Sequence, residues 1–152
     1  MDEEERPAFL SASQKAYQED PEGFINRLAA RADALFENGY LAQITGETHV
    51  FEVINLGARH KHGYRVNALT GDCTCPFYQR QASGESLTDN GRLIRCKHHR
   101  GLPGLVRRTR KALYQANQAK ECCELWAHWM KTMTVIRQRR KSPALTRKEL
   151  EV

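Results

Sequence analysis

No apolar run in these 152 residues is long enough to cross a bilayer as a helix. Nor does the chain open like a secretory signal. Residues 1–6 read Met-Asp-Glu-Glu-Glu-Arg, the reverse of a basic n-region. The expectation is a soluble, intracellular protein of the cytoplasm or nucleus. In such a reducing compartment the five cysteines are expected to be metal ligands or buried thiols rather than disulfides. Catalytic patterns are missing as well. There is no Ser-His-Asp arrangement, no phosphate-binding glycine loop and no H-x-E with P-C-x-x-C. Asp72, Glu85 and Asp89 are too scattered to form an acid–base pair, so the chain is not expected to be an enzyme. It has no internal repeat and no low-complexity tract, and its length favours one domain.

What is present is a polarised charge. Lys plus Arg number 24 against 18 Asp plus Glu, for a net +6. Residues 1–57 carry 4 cations and 11 anions, while residues 58–152 carry 20 and 7. An acidic front thus precedes a basic portion of net +13, suited to an anionic partner. Arginine outnumbers lysine 16 to 8, and its planar fork fits phosphates and base edges.

The hydrophobic pattern predicts an α+β fold: a small antiparallel sheet, a metal-stabilised finger, an N-terminal helix and a long C-terminal one. Residues 1–19 read as an acidic flexible leader. Asp20-Pro21 starts a helix over 21–38, ended by Asn38-Gly39. Strands are expected at 40–45, 48–56 and 62–69, rich in β-branched and aromatic residues. A first-strand unit (20–47) therefore precedes the finger (48–105). Residues 79–95 read as a polar loop, with a helical turn at 77–82. Gly101, Pro103 and Gly104 are expected to interrupt the helix that Cys96-Lys-His98 opens, and Pro103 to open one running to about 140, the core of a basic segment over 106–141. In it Leu105, Thr109, Ala112, Ala116, Ala119, Cys123, Trp126, Met130 and Met133 recur at spacings of four and three, and Val106, Leu113, Cys122, Trp129 and Ile136 widen the stripe. Ser142-Pro143 ends it, and 142–152 read as a flexible tail.

The chemistry concentrates in Cys73-Thr-Cys75 and Cys96-Lys-His98-His99. Three thiolates and an imidazole close a tetrahedral zinc site, with no position left open for catalysis. The first pair follows the turn signal Thr70-Gly71-Asp72 at a strand end, and the second opens a helix. C-x-H and C-x-x-H are both usable spacings, so His98 and His99 compete for the fourth place. Cys122 and Cys123 read as buried small hydrophobes. His49, His60, His62 and His128 stand singly in ordinary strand, turn or helix contexts.

The run Val66-Asn-Ala-Leu-Thr-Gly-Asp-Cys73-Thr-Cys75-Pro76-Phe77, with Cys96-Lys97-His98-His99 after a spacer, resembles the SWIM-type zinc finger. Its pattern is C-x-C, a variable spacer and C-x-H. The resemblance covers roughly residues 50–105. It implies zinc as the cofactor, with Cys73, Cys75, Cys96 and His98 as its ligands. The family includes transposases, helicase-allied bacterial proteins, a protein kinase and small partners of recombinase paralogues. Membership implies work in DNA recombination, repair, transposition or mobile-element processes. The spacer is longer here than in many members.

Around the cysteines lie Arg80, Arg92, Arg95, Lys97, His99, Arg100, Arg107, Arg108, Arg110 and Lys111, the candidate nucleic-acid contacts, to DNA above all. Nothing in them specifies bases, so backbone or shape recognition is expected. Phe77 and Tyr78 are candidates for stacking on bases. Trp126, Trp129, Met130 and Met133 form a candidate partner interface, because a helix of ~50 Å outruns a domain this small. The alternative function is accordingly an adaptor that docks a recombinase, helicase or transposase through the finger and that helix, or self-associates.

Overall fold

A computed structural model describes residues 12–55, 62–82, 87–89 and 92–141. Among them are helices α1 (Ala12–Glu19), α2 (Pro21–Asp33), α3 (Pro76–Ala82), α4 (Lys97–Gln115) and α5 (Ala119–Lys141). The strands are β1 (Tyr40–Ile44), β2 (Val50–Asn55), β3 (His62–Asn67), β4 (Thr88–Asp89) and β5 (Arg92–Leu93). β1, β2 and β3 form an antiparallel sheet in that order, and β4 and β5 a separate short hairpin. The α+β class is as the sequence predicts. No helix among the described residues is long and apolar enough to cross a membrane. Residues 1–11, His60 and the tail 142–152 lie outside the described residues.

The sheet buries one face because its apolar residues alternate. Phe51 and Val53 point inward and are fully buried, with Ala42 opposite Val53 and Val66 opposite Phe51. α4 and α5 cover that face through Leu102, Leu105, Val106, Leu125 and Trp129. Phe51 meets the Trp129 ring at 5.6 Å and the His128 ring at 4.8 Å, both edge to face. Two buried polar ties fix the layers. The Ala42 amide donates to Thr109 Oγ1 (3.0 Å), and His49 Nδ1 lies 2.9 Å from the fully buried Thr132 hydroxyl.

Several expectations need correction. Residues 12–19 of the expected leader are helical; Tyr17 packs edge-on against Phe24 of α2, and its hydroxyl donates to Asp89. α2 begins where predicted, with Asp20 accepting from the Gly23 amide, but its regular part ends at Asp33. Turns carry the chain on to Gly39, whose φ of 90° reverses it. The helical turn expected at 77–82 is present as α3, but the rest of the polar stretch is not all loop: Thr88–Asp89 and Arg92–Leu93 pair as antiparallel strands. Pro103 does not start a helix. α4 begins at Lys97 and carries Pro103 inside. Gly101, which looks like a breaker, is a crossing point instead. A Cβ there would penetrate the Ala32 carbonyl oxygen of α2 and lie 2.8 Å from Leu35 Cδ1.

A long C-terminal helix is present as expected, α5 over Ala119–Lys141, but it does not run unbroken from Pro103. The chain breaks at residues 116–118, where Asn117 adopts φ 60°. The Asn117 amide donates to Tyr114 O (3.2 Å) and the Gln118 amide to Leu113 O (2.9 Å), a Schellman closure with asparagine at its left-handed position. α5 then returns along α4. The interruption also shifts the phase of the stripe. The buried side chains of α5 are Cys122, Leu125, Trp129 and Thr132: Cys122 and Trp129 belong to the edge of the expected stripe, whereas Cys123, Trp126, Met130 and Met133 at its centre are not buried. Cys122 is buried as expected, whereas Cys123 is exposed.

The α2–α4 crossing gives a direct test. Gly101→Ala is expected to lower the unfolding free energy by about 1–3 kcal/mol, because the extra carbon overpacks a backbone contact. Gly104→Ala, whose Cβ would meet nothing within 4 Å, should leave stability unchanged or raise it by up to about 1 kcal/mol. Urea midpoints of the two variants check this.

Candidate metal centre and basic cleft

Three local devices bring four side chains to one point. The first is the turn after β3. Asn67 Oδ1 accepts from the Leu69 and Thr70 amides, and Gly71 at φ 82° reverses the chain. Cys73 then bridges back to Val66, and the Thr74 amide donates to Arg65 O. The other two are helix starts. Cys75 precedes α3, and its Sγ accepts from the Tyr78 amide at 3.4 Å. Cys96 is the N-cap of α4, and its Sγ accepts from the His99 amide at 3.5 Å. Amides at a helix start stabilise a thiolate. His98 follows in the first turn of α4, its ring held by Tyr64 (4.6 Å between centroids) and Tyr40 (5.8 Å).

The ligand atoms of Cys73, Cys75, Cys96 and His98 all lie within 4.8 Å of one another, and all four residues are buried. This Cys3His cluster could hold a metal ion. Two observations test the fit. His98 Nδ1 lies 3.9 Å from Cys73 Sγ, while its Nε2 is buried with no hydrogen-bond partner. A buried imidazole so poorly provided for is unfavourable in an interior complete without a cation. The sulfurs point the same way. Hydrogen bonds from Cys73 and then Cys96 hold the Cys75 thiol far below its ordinary range. The same bonds to Cys75 and Cys96, followed by burial, drive Cys73 far upward. For Cys96 the bond with Cys73 acts downward, but the bond with Cys75 and burial outweigh it, and the thiol is pushed up to about 11. The protein alone thus favours the thiolate at Cys75 over those at Cys73 and Cys96, and a cation among the three sulfurs would stabilise all of them. Arg27, Arg31 and Lys97 share a pocket of about 280 Å³ with Cys75, Cys96 and His98, and add positive potential on the same side. The two arginines come from α2, far from the motif in sequence.

His99 turns away from the sulfurs. Its Nε2 donates to the Ala68 carbonyl at 3.2 Å. Burial lowers its pKa, and Arg95 acts in the same direction. The rivalry between the two histidines is thus resolved in space, since successive residues of a helix point about 100° apart. Phe77 is half-buried against Leu28, Leu87 and Ile94, and the Tyr78 hydroxyl donates to Asp72, so both candidate stackers are engaged internally.

The candidate basic residues separate into groups. Arg95, His99, Arg100 and Arg107 line one cleft of about 800 Å³, joined by Arg140 near the end of α5. Arg140 could not be foreseen as a neighbour of Arg107 while one straight helix was expected between them. Among the described residues Asp89 is the one acidic residue lining the cleft, and it accepts the Tyr17 hydroxyl. Arg108 pairs with Glu37 and lies over the Phe36 ring, Arg110 sits 4.0 Å over Trp126, and Lys97 faces Tyr40. Arg80 and Lys111 are exposed on α3 and α4. The side chain of Arg92 lies outside the described residues. Of the candidate partner residues, Trp129 is buried in the core at 4% exposure; Trp126, Met130 and Met133 are half-buried, Met133 in the cleft wall.

Comparison with family models, curated proteins and solved structures gives no match.

Metal dependence follows from the burden of thiolate charge. Purified protein is expected to contain one metal ion per chain by elemental analysis, and Cys73→Ser to weaken its retention by more than about 100-fold, beyond what loss of an outer hydrogen bond costs. A chelator should raise amide exchange across residues 66–82 and 94–106 first. Unchanged metal content and exchange in the variant would count against the cluster as a metal centre.

Proposed function

We propose that this protein is a zinc-stabilised nucleic-acid-binding module that works on DNA in recombination, repair, transposition or mobile-element processes. The zinc is structural. Cys73, Cys75, Cys96 and His98 supply the four ligands of a closed site, and when bound the metal neutralises thiolate charge and ties three chain segments together. The protein's own groups do the remaining work: two helix starts orient the sulfurs, and two tyrosines fix the imidazole. The C-x-C…C-x-H order, which resembles the SWIM finger, supports this reading.

One observation carries the nucleic-acid part. Arg95, Arg100, Arg107 and Arg140, from three separate segments of the chain, line the same cleft, and the one carboxylate there among the described residues, Asp89, accepts the Tyr17 hydroxyl. Four guanidinium groups with no ion-pair partner among the described residues form a site for a polyanion, and phosphates are the anions arginine recognises best. The contacts are to backbone, so sequence selectivity should be weak. The adaptor reading drew on an over-long helix with an apolar stripe to spare. With the chain folded back at Asn117, part of that stripe packs in the core while Trp126, Met130 and Met133 stay half-buried, so the arginine cleft supports the nucleic-acid reading more directly than the helix supports the adaptor.

A salt titration of binding to labelled DNA tests this, on protein whose zinc content has been measured. Affinity is expected to fall by about 10²–10⁴-fold between 50 and 200 mM salt, in proportion to the phosphates neutralised. Arg107→Gln with Arg140→Gln should retain the zinc, weaken binding, and reduce the salt slope by about one for each phosphate left without its cation. Absence of binding at low salt by zinc-loaded protein would overturn the proposal.

A further inference from the structure

Resting on that reading, we infer that the arginine cleft is a site for single-stranded nucleic acid, in which phosphates meet the walls and unpaired bases meet an apolar floor. The cleft is framed by the β4–β5 hairpin, the first half of α4 and the last turns of α5. Its arginines are exposed at the rim, but the surface between them is not polar. Leu102 and Trp129 close the bottom, nearly fully buried, and Pro103, Met133 and Ile136 present half-buried apolar surface. Leu93 at the edge is 48% exposed, one of three large hydrophobic side chains left so open among the described residues.

A duplex has no use for such a floor. Its phosphates lie outermost and its base faces are stacked inside, so a protein that grips it by the backbone presents cations on a surface that can reach them. The 800 Å³ cleft has instead the size of a small-ligand pocket, in the range of about 300–1,000 Å³. It admits one or two nucleotides splayed from a strand. Single strands expose base faces that any apolar surface can cover without reading sequence, while a cationic groove follows the backbone. An apolar floor ringed by four guanidinium groups provides both contacts together. Whether the sugar is ribose or deoxyribose does not enter, because no polar group of the floor is placed to tell them apart.

The test uses the full zinc-loaded chain and fluorescence anisotropy with a labelled single strand of mixed sequence, its RNA counterpart, and a hairpin duplex of the same sequence, at matched salt. Either single strand should bind at least about ten-fold more tightly than the duplex, the value of covering one base. Ile136→Ser should weaken single-strand binding several-fold without changing its salt slope, because it removes apolar contact and no charge, and should leave duplex binding unchanged. Trp126→Phe leaves Trp129 as the sole tryptophan of two, and its emission should change as single strand enters the cleft. Duplex binding equal to or tighter than single-strand binding, with Ile136→Ser neutral, would overturn this inference while leaving nucleic-acid binding intact. No binding to any of the three at low salt would remove the parent reading and this one with it.

Discussion

Three buried sulfurs within reach of one another set the terms for this fold. Three thiolates gathered in a dry interior would repel one another, and a cation among them would offset that repulsion. That constraint reaches well beyond the ligands. Cys73 hangs on the turn that ends β3, Cys75 on the start of α3, and Cys96 and His98 on the start of α4. Holding them together fixes where the sheet stops, where the crossover hairpin begins and how α4 enters the core. The helix that carries His98 also carries Leu102 and Val106 one and two turns on, both buried against the sheet. The site and the hydrophobic core are therefore parts of one packing arrangement.

What the sequence disclosed, and what it hid, follows the range over which the physics acts. The Cys3His cluster was legible because metal ligation would impose short, rigid spacings on rare residue types. The three strands of the main sheet were legible because alternation is a two-residue rule, and each was placed within about two residues, the usual play at element ends; β4 and β5, two residues each, are too short to alternate. The choice between His98 and His99 could not be made from spacing, because it depends on helical phase around Cys96. The break at Asn117 was hidden by alanines on both sides that favour helix, and by an asparagine that only the left-handed position makes into a terminator. One missed residue conformation put the α5 stripe out of phase and placed Arg140 at the far end of a straight rod instead of beside Arg107. Gly101 was misread for the same reason: whether a glycine breaks a helix or lets another pass depends on a neighbour 69 residues earlier in the chain, Ala32.

The arginines illustrate how composition becomes arrangement. Evenly spread over one exposed face they would be an ordinary solvated surface. Instead several are absorbed internally, Arg108 by Glu37 and Arg110 by Trp126, where a planar cation covers an aromatic ring. Four others converge on one cleft, Arg95 from the segment after β5, Arg100 and Arg107 from α4 and Arg140 from near the end of α5. The chain reversal at 116–118 is what brings the last of these back, so the electrostatics of the cleft and the turn chemistry of one asparagine are linked.

Cys96 caps α4 and also belongs to the cluster that could hold a metal ion. Serine, aspartate and asparagine cap a helix at least as well but are weak partners for a soft metal. Histidine suits such a metal but caps poorly. Drift at this position is therefore confined more tightly than at Cys73, where no helix begins. Among descendants of this chain, a serine at position 96 would mark a lineage that kept the helix start and gave up the thiol, and a change to neither kind of residue one that had given up both.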